Sequence, residues 1–139
     1  MPLITASEIN AIAFSTPIDP ALIMDEIISA SETKFIIPAI TKPVYEDLSI
    51  HPGIYATLIS DYIKPYQAYC IKLLLYSQYY SETLYTSSLD MPKEDIVNET
   101  NLIIRAKREL LVNQLSSGNY LLYSPPQKKL TAGFLVKRP

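Results

Sequence analysis

The chain of 139 residues contains one cysteine, one histidine, three glycines and no tryptophan. Each shortage excludes something. With Cys70 alone, neither an intrachain disulfide nor a cysteine metal cluster can form, a composition that suits a reducing compartment. With His51 alone, a zinc site or a histidine-based triad lacks its partners. Three glycines leave no Walker or dinucleotide-type loop to cradle phosphate. The opening residues, Met-Pro-Leu-Ile, lack the basic start and long apolar stretch of a signal peptide. The apolar run Leu73 to Tyr76 is far shorter than the roughly 20 residues that cross a bilayer, so no membrane partner is expected. A net charge of −2 argues against a dedicated nucleic-acid binder.

What is present is apolar and aromatic. Hydrophobic residues make up 48% of the chain, which fits a globular protein rather than a disordered one. The length fits one domain that buries roughly two thirds of its unfolded surface. Eleven prolines punctuate it. Eleven tyrosines are unevenly spread, and most of them lie between Tyr55 and Tyr85. Tyr55, Tyr62, Tyr69 and Tyr76 repeat at heptad spacing, and Ile59, Tyr66, Leu73 and Tyr80 follow each by one turn. On a helix these rows are neighbours and form one broad aromatic face. Tyrosine wants its ring buried and its hydroxyl partnered, so this face is expected either to pack in the core with its hydroxyls reaching the surface or to meet a partner along part of its length.

Charge is also uneven. Residues 1–104 hold 13 acids and 5 bases, for −8; residues 105–139 hold 1 acid and 7 bases, for +6; together they give the −2 of the whole. The C-terminal end reads as a solvated basic tail or as an arm that docks on an acidic partner.

The local signals are mostly helical. Thr5-Ala6-Ser7-Glu8 has capping-box spacing and opens a helix to about Phe14. Asp19-Pro20 predicts another start, with Asp25 and Glu26 near the positive end of the dipole and Pro38 as its end. A short helix is expected after Thr41, with Val44 and Leu48 inward, then a loop over Ser49 to Gly53. The longest pattern runs from Ile54 to Tyr80, and Pro65 predicts a kink or a break in it. Ser81 to Leu89 reads as extended, a strand or a small hairpin arm. Asp90 caps the last major helix. Its apolar ridges are Ile96, Ile103, Leu110 and Val97, Ile104, Leu111, and Gly118 is its expected C′ residue. Asn119 to Tyr123 looks extended, and Pro125-Pro126 stops regular structure. The fold class is therefore all-α: a small helical bundle with a short extended insert and an extended C-terminal arm. The division is a helical domain, 1–123, and a basic arm, 124–139. No internal repeat stands out.

Chemistry is scarce. His51, in Ile-His-Pro-Gly, reads as a solvated turn residue. Cys70, mid-helix between tyrosines, reads as a small buried hydrophobe rather than a nucleophile. Neighbouring acids in Glu46-Asp47 and Glu94-Asp95 point in different directions on a helix and make poor dyads. Arg105, Lys107 and Arg108 suit the dipole at a helix C-terminal half. No enzyme, cofactor or metal is expected.

The order of elements resembles that of the head–tail connector (adaptor, or head-completion) proteins of tailed bacteriophages, over about residues 5–123. The resemblance is carried by Glu32-Thr33-Lys34-Phe35-Ile36-Ile37-Pro38, by Pro43-Val44-Tyr45-Glu46-Asp47-Leu48, and by a long aromatic helix with Asp61-Tyr62-Ile63-Lys64-Pro65. It implies a non-enzymatic helical subunit at the head–tail junction of a virion, made in the host cytoplasm. Such subunits form a ring that matches the portal's twelvefold symmetry, extend the DNA channel without reading sequence, and seat the next tail or connector component. On this reading Tyr62, Tyr66, Tyr69, Tyr76, Tyr80, Leu84 and Tyr85 make subunit contacts. Tyr120, Tyr123, Lys128, Lys129, Lys137 and Arg138 belong to an arm that reaches the portal. An acidic channel wall lets DNA slide, since phosphate affinity comes from clustered Lys and Arg. The rival reading is a small helical protein-binding or regulatory module that acts as a monomer or dimer.

Overall fold

The computed structural model describes residues 3–15, 17–78, 93–118 and 120–124. Among these the fold is helical and holds no strand. The expected hairpin insert, Ser81 to Leu89, the Asp90 cap and the arm beyond Ser124 lie outside the described residues.

Helix α1 spans Ala6–Ala13 and carries the expected capping box: Thr5 accepts from the Glu8 backbone N–H, and the Glu8 side chain accepts from that of Thr5. The next expected start is split. Asp19 caps only a single 3₁₀ turn, Pro20–Leu22, and Ile23 and Met24 break the chain before α2, Asp25–Ser31. Asn10 holds the intervening loop, accepting from the Ile18 N–H at 2.9 Å and donating to the Ile18 carbonyl at 3.0 Å.

Pro38 behaves otherwise than expected, and of the kink or break expected at Pro65 the break does not occur. Pro38 does not end its helix. A π turn, Glu32–Ile36, follows α2 directly, and α3, Ile37–Ile40, continues through the proline. Pro65 does not break the long helix either. Helix α5, Ala56–Leu58, runs into a second π turn, Ile59–Ile63, and then into α6, Lys64–Gln78. The geometry repeats. The Ile37 N–H reaches back five residues to the Glu32 carbonyl, and the Lys64 N–H reaches back five to the Ile59 carbonyl. Each such bond sits one residue before a proline. A proline inside a regular helix clashes with the carbonyl four residues back and leaves it without a donor. A wide turn just upstream opens the space where that clash would fall. The sequence around both joints is aromatic-Ile-x-Pro: Phe35-Ile36-Ile37-Pro38 and Tyr62-Ile63-Lys64-Pro65. This is a local repeat that sequence inspection missed, and both isoleucines are fully buried.

Helix α4, Lys42–Ile50, buries Val44 and Leu48 as expected. It follows α3 across Thr41, whose φ of 75° and ψ of 153° lie in a region that glycine favours. The last helix, α7, spans Lys93–Ser117. Ile96, Thr100, Leu111 and Leu115 are its buried residues, whereas Leu110, assigned to a core ridge by periodicity, is 54% exposed. Gly118 follows the helix, but no glycine in the described chain has positive φ. Its small size serves packing instead: a Cβ there would lie 2.5 Å from the Tyr120 ring. Residues 120–123 are not extended; they turn, with the Tyr123 N–H on the Tyr120 carbonyl at 3.0 Å.

Helix α6 is the axis. It contacts α1, α2, α7 and both π turns. One of its faces, with Ala68, Ile71 and Leu75, packs into one core with α1 and α2. Another face, with Tyr66 and Cys70, packs into a second core with Ile36, Val44, Leu48, Leu58, Ile63 and Leu111.

Candidate functional site

The central position of α6 decides where the tyrosines go. Tyr66 is 2% exposed and Tyr76 is 4% exposed, so two residues expected at a subunit interface fill the subunit's own core instead. Tyr62 and Tyr69 are half-buried, and the Tyr69 hydroxyl donates to the Ile12 carbonyl at 3.2 Å. Tyr55 is buried and donates to Asp47 Oδ2 at 2.7 Å. The heptad row is not one face because the π turn lies between Tyr55 and Tyr66 and rotates the residues beyond it. Tyr80, Leu84 and Tyr85 lie outside the described residues. The two lysines of α6 are tied to α1. Lys64 pairs with Glu8 at 2.6 Å, and Lys72 donates to the Ala13 carbonyl at 3.0 Å with its ammonium 5.3 Å from the centre of the Phe14 ring. Lys72 thus satisfies the last carbonyl of α1.

Tyr120 and Tyr123, expected in the portal-docking arm, are tied to the body. Tyr120 stacks on Tyr55, with ring centroids 5.6 Å apart, and Tyr123 packs against the second core. Lys128, Lys129, Lys137 and Arg138 lie outside the described residues.

A buried polar knot joins the two proline-containing rods. Glu32 is 3% exposed. Its Oε2 accepts from the Leu3 backbone N–H at 2.7 Å and from Gln67 Nε2 at 3.2 Å, and its Oε1 accepts from the Tyr45 hydroxyl at 2.6 Å. Gln67 Nε2 also donates to Ser31 Oγ at 3.0 Å, and Ser31 Oγ donates to the Ile28 carbonyl. Three donors on one carboxylate offset the cost of burying it. Burial, then the Glu32 bond, pushes the Tyr45 hydroxyl up to about 12. Glu32 opens a π turn within a helix-like stretch, and its spacing gives no sign that it is buried. The sequence therefore offered no signal for this knot.

Asp47 forms a second cluster at the end of α4. His51 Nδ1 lies 2.8 Å from Asp47 Oδ1, while Tyr55 holds the other oxygen. The His51 ring, the Tyr55 hydroxyl and partial burial act together on Asp47; the two hydrogen bonds outweigh burial and hold its carboxyl below its ordinary value. His51 is exposed, as expected, but it is an oriented imidazole rather than a free one. The Asp-x-x-x-His spacing carried that signal. Chemically, the pair presents one fixed ring nitrogen to solvent beside Pro52. Cys70 is fully buried, and burial pushes its thiol up to about 12, as a structural cysteine requires. The Tyr66 hydroxyl beside it is also raised, first by burial.

Two surfaces remain open. One is an apolar groove of about 390 Å³ beside α4, walled by Leu3, Tyr45, Leu48, Ile50, Pro52 and Ile59. Glu32 stands behind it and fixes two of those walls through Leu3 and Tyr45. The other is one side of α7, where Leu102 is 63% exposed beside Asn98, Asn101 and Arg105; Arg108 reaches the Tyr66 hydroxyl, and Leu110, 54% exposed, lies about 140° round the helix from Arg105. Among the described residues, no group of three His, Cys, Asp or Glu is placed to hold a metal ion, and no helix is long and apolar enough to cross a membrane. Comparison with protein-family models, with curated proteins and with solved structures finds no match to this chain.

Proposed function

We propose that this protein is a structural subunit of the head–tail connector of a tailed bacteriophage. It assembles into a ring between the portal and the tail and extends the DNA channel. The order of elements, with its two aromatic-Ile-x-Pro joints, supports the choice of family by resemblance. The observation that carries assembly is the outer stripe of α7. A head-to-tail ring needs two different complementary surfaces on each subunit. Leu102 and Arg105, with Asn98 and Asn101 beside them, offer an apolar and basic one. Exposed acids such as Asp25, Glu26 and Asp61 on the other elements offer its charge complement. The tyrosines contribute chiefly by stiffening the subunit, since Tyr66 and Tyr76 are internal.

The test is to mix the purified chain with the portal of the same phage and image the product. Rings on the portal vertex are expected, and Leu102→Ser with Arg105→Glu should remove them while leaving the helical circular dichroism intact. No ring at any ratio would sink the proposal.

A second reading, a small binding module acting as a monomer or dimer, is favoured by the apolar groove beside α4. Light scattering in the presence of the portal separates the two, because only the connector reading requires a large closed assembly.

A further inference from the structure

We propose that, in the free subunit, the groove beside α4 is covered by the chain's own C-terminal segment, residues 127–139, with Phe134, Leu135 and Val136 against Leu3, Ile50 and Ile59. The inference stands apart from the connector reading.

Three observations converge on it. The first is the surface itself. Ile50 lines the groove at 66% exposure, and Ile54, in the turn after α4, is 63% exposed. Aliphatic side chains this open, grouped at a concave apolar wall, mark a contact surface.

The second is where the described chain leads. After α7 it turns back onto the second core. Tyr120 stacks on Tyr55, and the Tyr55 hydroxyl is bonded to Asp47 of α4. Tyr123 packs on the same core, whose outer members Leu3, Tyr45 and Ile59 are groove walls. The described chain thus stops at Ser124 on the side of the molecule that carries the groove. Residues 125–134 span up to about 33 Å when extended, ample for a neighbouring surface.

The third is composition. The segment reads Gln-Lys-Lys-Leu-Thr-Ala-Gly-Phe-Leu-Val-Lys-Arg-Pro: an apolar run between two basic pairs, with no acid. Glu46 is the acid that lines the groove. Apolar residues on the floor and cations toward an acidic rim are the arrangement that fixes register as well as affinity.

The test uses the full chain with Ile50→Cys and Leu135→Cys. Ile50 is exposed, so the first change leaves the core untouched, and the native Cys70 is buried. Under mild oxidation at low protein concentration, the expected product is a monomer with an internal disulfide between positions 50 and 135. Phe134→Ser with Val136→Ser in the same background should slow its formation roughly tenfold, the loss expected from removing one to two buried apolar side chains. Ala21→Cys with Leu135→Cys is the distance control, since Ala21 is exposed beside the other core. Equal pairing at positions 21 and 50, or no pairing at 50, overturns the proposal. A disulfide formed only between chains also overturns it, and assigns the groove to a second copy.

Discussion

Gln67 and Glu32 lock the two proline-containing rods to each other. Gln67 stands two residues past Pro65, Glu32 opens the π turn before Pro38, and the Gln67 amide reaches the buried carboxylate at 3.2 Å. The contact joins elements 35 residues apart and also holds the Leu3 backbone and the Tyr45 ring through the same carboxylate.

Removing that carboxylate leaves the part-buried Leu3 N–H and Tyr45 hydroxyl without their acceptor, while the Gln67 amide keeps its bond to Ser31. Glu32→Ala is expected to cost about 3 kcal/mol, within the range for hydrogen bonds to a charged group plus orphaned partners. Glu32→Gln keeps an acceptor and should cost less. Urea unfolding measures both; a Glu32→Ala loss under about 0.5 kcal/mol, the scale of an ordinary surface change, would show that the knot carries no stability.

Thr41 adopts a backbone region that β-branched residues avoid, and its hydroxyl is buried without a partner among the described residues. Thr41→Gly relieves a strain of about 1–3 kcal/mol against the extra chain entropy of glycine, about 0.5–1 kcal/mol. A gain in the denaturation midpoint is expected. A loss would mean that the threonine methyl packs better than its backbone suffers.

Pro65 is tolerated because the turn ahead of it is already wide. Pro65→Ala should therefore change stability by no more than about 1 kcal/mol, not by the roughly 3 kcal/mol a clashing interior proline costs. The same holds for Pro38→Ala. Stabilisation near the larger figure in either variant would show that the π turns do not relieve the clash.

Acid should weaken the fold through Glu8 and Asp47. Lys64 first, then the Thr5 cap, holds the Glu8 carboxyl below its ordinary value; His51 first, then Tyr55, does the same for Asp47. A depressed folded pKa contributes stability above the unfolded value, about 4 for a carboxylate, and loses it as pH falls through the folded one. Unfolding midpoints compared at pH 6 and pH 3 should fall less in Lys64→Met than in the parent. An equal fall in both would remove the pair from the account.

Cys70 should report unfolding. Its thiol is fully buried and its pKa is pushed up to about 12, so thiolate is scarce as well as shielded. Alkylation is expected to be negligible in the folded chain and to rise along the urea transition. Stoichiometric labelling without denaturant would contradict the burial.

Much of the fold was legible residue by residue. Thr5 and Glu8 announced α1, and Val44 and Leu48 announced the inward face of α4, because caps and periodicity are local properties. Pro38 and Pro65 misled, since proline's usual consequence is read from a regular helix and the compensating π turn has no established local signature. The tyrosine row misled for the same reason, because heptad counting assumes unbroken phase. Leu110 shows the reverse failure: its periodicity places it on a core ridge, but the helix has more apolar residues than the bundle has core to receive them. Of the site, the Asp47–His51 spacing was readable in retrospect. The groove was not, because Leu3, Ile50 and Ile59 meet only through tertiary packing.

The two π turns also bear on how this chain tolerates length changes. One residue more or less in a helix rotates everything beyond it by about 100°. Ser60 is exposed and its hydroxyl bonds locally, to Thr57 and Asp61, yet it sits inside the turn that sets the phase of α6. Deleting it would either return the wide turn to a regular one, with the clash at Pro65 restored, or swing Ile71, Leu74 and Leu75 away from α1 and α2, in neither case removing a buried side chain. Insertions and deletions at these joints are therefore coupled to helix phase: a single codon is either absorbed by the wide turn or turns every later side chain of that rod by about 100°.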